Sequence, residues 1–381
     1  MSIKVYSNMK KIGIVSYNIY ANFTNYGSAL QSWALHQAID KLGDGRWKSV
    51  LVDYCPDCLK DKDPLNPMKN MWDTDEESRR MCELSLPAIR ENYVKFDRFY
   101  HDRFERTKGS YTKENFNEII DNEHLNGFVC GSDTIFCIDE FGFDDGYYAN
   151  YPIMKDGYAI SYAASFGDSH FTEETYKILN QRLANFKALG IRENWMIPYI
   201  KEHSDTPVHK VVDPTLLLEQ KDFDTIAVPE RLENEKYLLL YARRYNKKMF
   251  DYADQLAKKN GWKVIDISLR ATNADRHRMF YEAGVEEFLS LVKHAEYVVT
   301  NSFHGMIIGV HYRRPFVIFS REQCDIKIDE VLELFGLFDH KLILGEEIVN
   351  DYIDYDMVHN RIRSAAVDSI QYLRKYLDEC K

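Results

Sequence analysis

The chain predicts an α/β protein: two Rossmann-like α/β domains facing across a cleft. Three observations carry this. Short apolar, β-branched runs recur along the 381 residues, each followed by helically spaced apolar positions, the alternation that builds parallel sheets. It stops in a charged stretch at 220–236 and then restarts. Most runs also end in a polar turn with Ser, Asp, Arg or Gly, at the strand end where open α/β sheets bind ligands. The division read from this is an N-terminal domain over 1–220 with an insertion at 55–104, and a second domain over 221–345. A final helical segment, 346–381, is placed to cross back onto the first domain.

The first strand is read at 12–17 (IGIVSY), followed by a polar, aromatic loop and a helix over 28–42. Leu30, Trp33, Ala34, Ala38 and Leu42 share one face of that helix, and Gly43 closes it. A strand at 49–54 completes a βαβ opening. Its loop lacks G-x-G-x-x-G, so no bound NAD or FAD is predicted. Asn25, Tyr26, Gly27 and Ser28 form either a ligand-facing turn or an ordinary cap; the long loop favours the former. Residues 55–80 read as an irregular excursion carrying Met68, Met71 and Trp72, and 76–104 as a helix bent or restarted at Pro87.

A strand at 127–131 ends in Ser132 and Asp133, and one at 158–163 leads to Ser165, Gly167 and Asp168. A helix at 171–187 precedes the strand 188–191, which delivers Arg192 and Glu193; residues 210–212 lead into Asp213 and Pro214. After the linker come a strand at 237–242 followed by Arg243 and Arg244, a helix at 247–260 capped by Gly261, a strand at 262–267 and a helix at 285–294.

Residues 296–319, EYVVTNSFHGMIIGVHYRRPFVIF, read as strand, helix and parallel strand in a right-handed crossover. The turn Asn301, Ser302, Phe303, His304, Gly305 sets a hydroxyl, an imidazole and a glycine at a helix start, an arrangement suited to an anion. A Ser302 cap with His304 packed beside it is the plain alternative. Helices at 325–335 and 352–378 close the chain.

The formal charge of −11, without a basic tail, argues against a general nucleic-acid binder. An anionic substrate would need a local basic pocket. The first residues are polar and short, unlike a signal peptide, and no apolar run approaches the roughly 18–20 residues of a membrane span, so a cytoplasmic location is expected. Seven scattered cysteines point to reduced thiols. Cys55 and Cys58 form a lone C-x2-C with no second Cys/His pair at zinc spacing, so no metal is predicted.

Taken in order, Asn25-Tyr26-Gly27 with Leu30 and Gln31, Gly131-Ser132-Asp133, Tyr162 to Gly167, Arg192-Glu193, Asp213-Pro214-Thr215 and Asn301 to Gly305 with Pro315-Phe316 resemble the polysaccharide pyruvyltransferases. The resemblance runs from about residue 12 to 319, and its specificity lies in the ordered set. It implies a fold like the two-domain GT-B glycosyltransferases. The implied activity is transfer of a pyruvyl group from phosphoenolpyruvate to a sugar of a capsular or exopolysaccharide repeat unit, as a ketal. Phosphoenolpyruvate is then a co-substrate, and no cofactor is implied. The acceptor is a saccharide, free or lipid-linked, compatible with peripheral contact at the inner membrane face.

Arg192 matches the family's donor-site arginine. Ser302 departs from the arginine that some relatives carry two residues before the histidine, so another cation must serve, and Arg243 is the better placed. His304, with Ser302 and the backbone at Gly305, would hold phosphate or act as acid; Asp133 is the candidate base. Asn25, Tyr26, Gly27 and Tyr20 are assigned to the acceptor. Two other readings stay open: a GT-B glycosyltransferase using a nucleotide sugar, and a non-catalytic sugar-binding relative, for which Ser302 is the argument.

Overall fold

A computed structural model describes residues 9–66, 76–268, 271–321, 325–343 and 352–380. The first sheet contains β1 (Lys10–Val15), β2 (Trp47–Leu51), β3 (Gly127–Cys130), β4 (Ala159–Ala164), β5 (Ala188–Ile191) and β6 (Val208–Lys210). The second contains β7 (Tyr237–Tyr241), β8 (Lys263–Asp266), β9 (Arg278–Met279), β10 (Tyr297–Thr300), β11 (Phe316–Phe319) and β12 (Lys341–Leu342). Every pairing is parallel, in the orders β2-β1-β3-β4-β5-β6 and β12-β11-β10-β7-β8-β9. The chain reverses its direction of travel across each sheet once, between β1 and β3 and between β7 and β10. Such reversals open a crevice beyond the carboxyl ends of the strands.

Helices of nine residues or more are α1 (Tyr26–Gly43), α2 (Glu76–Asp102), α3 (Glu173–Leu183), α4 (Lys247–Asn260), α5 (Val285–His294), α6 (Phe303–His311), α7 (Asp325–Phe335) and α8 (Tyr355–Glu379). Strands β3, β4, β5, β7, β10 and β11 are buried at every residue, which is why they read as continuous apolar runs instead of alternating ones.

Four readings need correction. Helix α1 starts at Tyr26, because the Asn25 side chain accepts the Gly27 N–H and caps the helix there. Helix α2 runs through Pro87 without restarting and includes 76–80. Cys82 and Ile89, on either side of the proline, are both buried, and this packing offsets the lost backbone bond. The last strand of the first sheet is Val208–Lys210, which leaves 211–215 free to form a turn. The stretch 220–236 includes a short helix, Gln220–Phe223, and its Phe223 and Ile226 are buried, so it is packed against the core instead of looping free. Met68, Met71, Trp72 and the 345/346 boundary lie outside the described residues.

The two lobes share one apolar core. Tyr26 of α1 stacks on Phe288 at 4.5 Å, approaches Phe96 and Tyr241, and donates its hydroxyl to the Ala283 carbonyl at 2.6 Å. Lys95 of α2 reaches Glu287 of α5 at 2.9 Å. Helix α8 lies on the first sheet: Tyr372 donates to the Ser161 carbonyl, and the Ser369 hydroxyl accepts the Val212 N–H. Among the described residues, no helix is long and apolar enough to cross a membrane.

Candidate active site

The end of β3 is shaped by glycine. Gly131 has φ 140°, and a Cβ there would stand 2.1 Å from the Tyr162 carbonyl oxygen, so no side chain fits. Two residues on, Asp133 sits in the left-handed region at φ 70°. Its carboxylate accepts the Ser28 hydroxyl at 2.6 Å. Fully buried Gln31 ties the turn to α1: its carbonyl accepts the Ser132 N–H, and its amide donates to Ser16 and to the Ser28 carbonyl. Burial alone would raise the pKa of Asp133; the neighbouring charges of His304, Lys327 and Arg192, with the Ser28 hydroxyl, outweigh it and lower the value.

At the end of β5, Arg192 is 5% exposed and donates Nη1 to Asp213 at 2.6 Å. His304 places Nε2 3.4 Å from the same Asp213 oxygen. Asp213 is fixed from its own side by the N–H and hydroxyl of Thr215. Burial pushes its pKa up, but His304 and Arg192 beside it hold the carboxyl well below the usual range. One carboxylate thus joins an arginine of the first lobe to a histidine of the second. Arg192 Nε lies 3.5 Å from the buried Glu193 carboxylate, and neither Nε nor Nη2 has a hydrogen-bond partner. Its guanidinium carbon lies 5.1 Å from the centroid of the Phe303 ring, and the Lys327 ammonium 5.8 Å from it.

Each side chain in the turn after β10 has a separate job. Asn301 needs both ends of its amide: Oδ1 accepts the Arg243 N–H at 2.7 Å, and Nδ2 donates to the Arg244 carbonyl at 3.0 Å. It thereby clamps the end of β7 to the end of β10, at the point of reversal. Ser302 caps α6 by accepting the Gly305 N–H at 3.2 Å. His304 then lies so close to α1 that a Cβ on Gly27 would sit 2.1 Å from its Nδ1. Gly27 is therefore the clearance for the imidazole.

A cavity of about 640 Å³ opens between the lobes. Asp133, Asn25 and Tyr17 line it from the first lobe, and Arg243, Arg244, Arg321 and Lys327 bring positive charge from the second. Neither Arg192 nor His304 is part of the lining; both reach the site through Asp133, whose ionisation they govern. Tyr20, Tyr26 and Gly27 do not line this cavity. Tyr26 is consumed by the contact between lobes, and Tyr20 donates its hydroxyl to Asp53 at 2.8 Å.

Lys327, Arg321 and Glu140 were not singled out from the sequence. Arg321 follows the end of β11 by about two residues, where the strand-end rule that found Arg192 also applied, whereas Lys327 lies in the first turn of α7. Glu140 is exposed within the concave wall and accepts the Thr134 hydroxyl at 2.9 Å. Desolvation there, then the charge of Asp133, raise its pKa. Asp139 and Asp168 line the same cavity, and burial raises the pKa of Asp168 as well.

The geometry agrees with what the chain is similar to. A protein assigned as a UDP-N-acetylglucosamine 2-epimerase from Listeria monocytogenes superposes with a TM-score of 0.55 at 12% identity, over 97% of each chain. The UDP-GlcNAc 2-epimerase of Methanocaldococcus jannaschii gives 0.50 at 12% identity, over 97% of this chain and all of that one. These show the fold alone: two Rossmann-like domains in the GT-B arrangement. No curated protein sequence matches the chain significantly. The family model for polysaccharide pyruvyl transferase matches residues 25–323, a span containing Asn25, the Asp133 turn, Arg192, Asp213 and the Asn301–Gly305 turn. The chain belongs to the polysaccharide pyruvyl transferase family.

Proposed function

We propose that the protein transfers a pyruvyl group from phosphoenolpyruvate to two hydroxyls of a saccharide in capsule or exopolysaccharide assembly, at the cytoplasmic side. The observation that carries this is the cavity between the lobes, where Asp133 and Glu140 face Arg243, Arg244, Arg321 and Lys327, with Arg192 and His304 acting from behind Asp133. Four cationic side chains on one concave wall suit a small polyanion with a carboxylate and a phosphate.

In this reading Glu140 gives a proton to the methylene carbon of phosphoenolpyruvate, and C2 becomes oxocarbenium-like. One acceptor hydroxyl adds to C2 and yields its proton to Asp133. The C2–O bond to phosphate breaks, with Arg192, Lys327 and His304 bearing the departing charge. The second hydroxyl closes the ketal, and its proton leaves with phosphate. The donor side is Lys327 on the cavity wall, backed by Arg192 and His304 through Asp133, with Ser302 and Gly305 holding the start of α6 in place; Asn25 stands on the acceptor wall.

The test is incubation with phosphoenolpyruvate and a panel of oligosaccharides, reading the pyruvate adduct by mass and released phosphate. Arg192→Ala is expected to abolish donor binding, seen as loss of the thermal shift that millimolar phosphoenolpyruvate gives the wild type. Turnover of a nucleotide sugar without phosphoenolpyruvate would replace this reading with glycosyl transfer.

A further inference from the structure

A second, smaller cavity of about 80 Å³ adjoins the first. It lies over the carboxyl ends of β7 and β8 and is covered by α2 and the loop before α1. Five rings enclose it: Phe23, Tyr26, Tyr241, Tyr245 and Phe250. Its polar side is Ser268 and Asn273, both held by buried Asp266, which is backed in turn by His277. The Tyr241 hydroxyl is buried without a hydrogen-bond partner. Phe23, Arg243 and Arg244 line both cavities, so the two guanidinium-bearing residues stand between them. Asn301 fixes the backbone of both arginines there.

We propose that this second cavity is an aglycone subsite: the acceptor is a sugar phosphate ester whose apolar group enters the ring-lined pocket. The linking phosphate or diphosphate lies on Arg243 and Arg244, and the sugar extends toward Asp133. This rests on the pyruvyl-transfer reading and names the acceptor class for it. It also moves Arg243 from donor to acceptor, leaving Lys327, backed by Arg192, to hold the donor. Guanidinium groups match phosphate oxygens in bidentate geometry, and stacked rings recognise flat groups without regard to their edge pattern. The small enclosed volume favours one flat ring, as in a nucleoside diphosphate sugar, over the chain of a prenyl diphosphate sugar.

The experiment is calorimetric titration of the whole protein with uridine diphosphate, geranyl diphosphate and inorganic pyrophosphate, each with and without saturating phosphoenolpyruvate. An organic diphosphate is expected to bind at least about tenfold more tightly than pyrophosphate. Preference for uridine diphosphate identifies a nucleoside carrier, and preference for geranyl diphosphate a lipid one. Tyr245→Ala, at an exposed ring, and Thr272→Trp, which fills the half-buried edge of the pocket, should erase that margin while leaving pyrophosphate and phosphoenolpyruvate binding as they were. Equal affinity for the three probes, no effect of either variant, or displacement of the organic diphosphate by phosphoenolpyruvate would overturn the subsite. Phosphoenolpyruvate failing to bind in these titrations would instead count against the pyruvyl-transfer reading, independently of the subsite.

Discussion

Asp213 shows how much of the site depends on one carboxylate. It is fully buried, carries the contact to Arg192, lies beside His304, and is itself oriented by Thr215. Replacing it with Asn would leave the buried Arg192 charge with only the looser Glu193 carboxylate, 3.5 Å from its Nε, at a cost of about 1–3 kcal/mol, read from the midpoint of urea unfolding. The pH dependence follows in sign. The pKa values of Asp213 and Asp133 are both lower in the folded protein than in the unfolded chain, where an aspartate titrates near 3.9. Their stabilisation is complete above that value and drains away as pH falls through the folded pKa values. Unfolding free energy should therefore drop steeply below about pH 4, and Asp213→Asn should flatten the drop; parallel profiles for the two proteins would refute the assignment. Gly27 makes the second case at this scale. A methyl group there meets the His304 ring at 2.1 Å, with the helix behind it unable to yield. Gly27→Ala should cost about 1–3 kcal/mol of stability and depress turnover further than that loss explains, because the imidazole must move off Asp213.

Helix α6 and the turn before it are the element on which the second lobe's chemistry is mounted. Asn301→Asp keeps an acceptor for the Arg243 N–H but sets an oxygen against the Arg244 carbonyl. The β7 turn should loosen, raising acceptor KM while donor affinity holds; an unchanged KM would mean that the clamp has no part in binding. Helices were legible where capping chemistry is local. Asn246 and Gly261 bracket α4, and α5 and α7 have the bounds that their apolar periodicity implies. Doubly buried strands were legible as apolar runs. What the sequence hid was the partner of each exposed-looking group. An aromatic residue in a polar loop reads the same whether it meets a sugar or another lobe, and Tyr26 meets Phe288, 262 positions along the chain by number. Tyr20 likewise looked free, and its partner Asp53 lies beyond a strand and a helix. The cations of the cavity, Arg321 and Lys327, act on Asp133 and Asp168 only through the closure of two distant units. No local pattern encodes that.

At the scale of the molecule, the arrangement needs both lobes held at a fixed separation, since Asp213 of one stands 3.4 Å from His304 of the other. The contacts that hold them are not confined to the cleft. Tyr26 fills the space between α2, α5 and β7, the Lys95–Glu287 pair flanks it, and α8 runs from α7 back onto the first sheet. A core continuous across both lobes should unfold as one unit despite the length of the chain. Scanning calorimetry is therefore expected to show a single transition whose calorimetric and van't Hoff enthalpies agree. Tyr26→Ala removes the ring at the junction and should cost about 3–5 kcal/mol, the loss typical of a buried aromatic. If the junction is what couples the lobes, that variant splits the transition in two and lowers turnover, while a ligand seated in the cavity between the lobes, tested with millimolar phosphoenolpyruvate, draws the two transitions back together. Two independent transitions already present in the wild type would show that the cleft is held by the substrate and not by the fold.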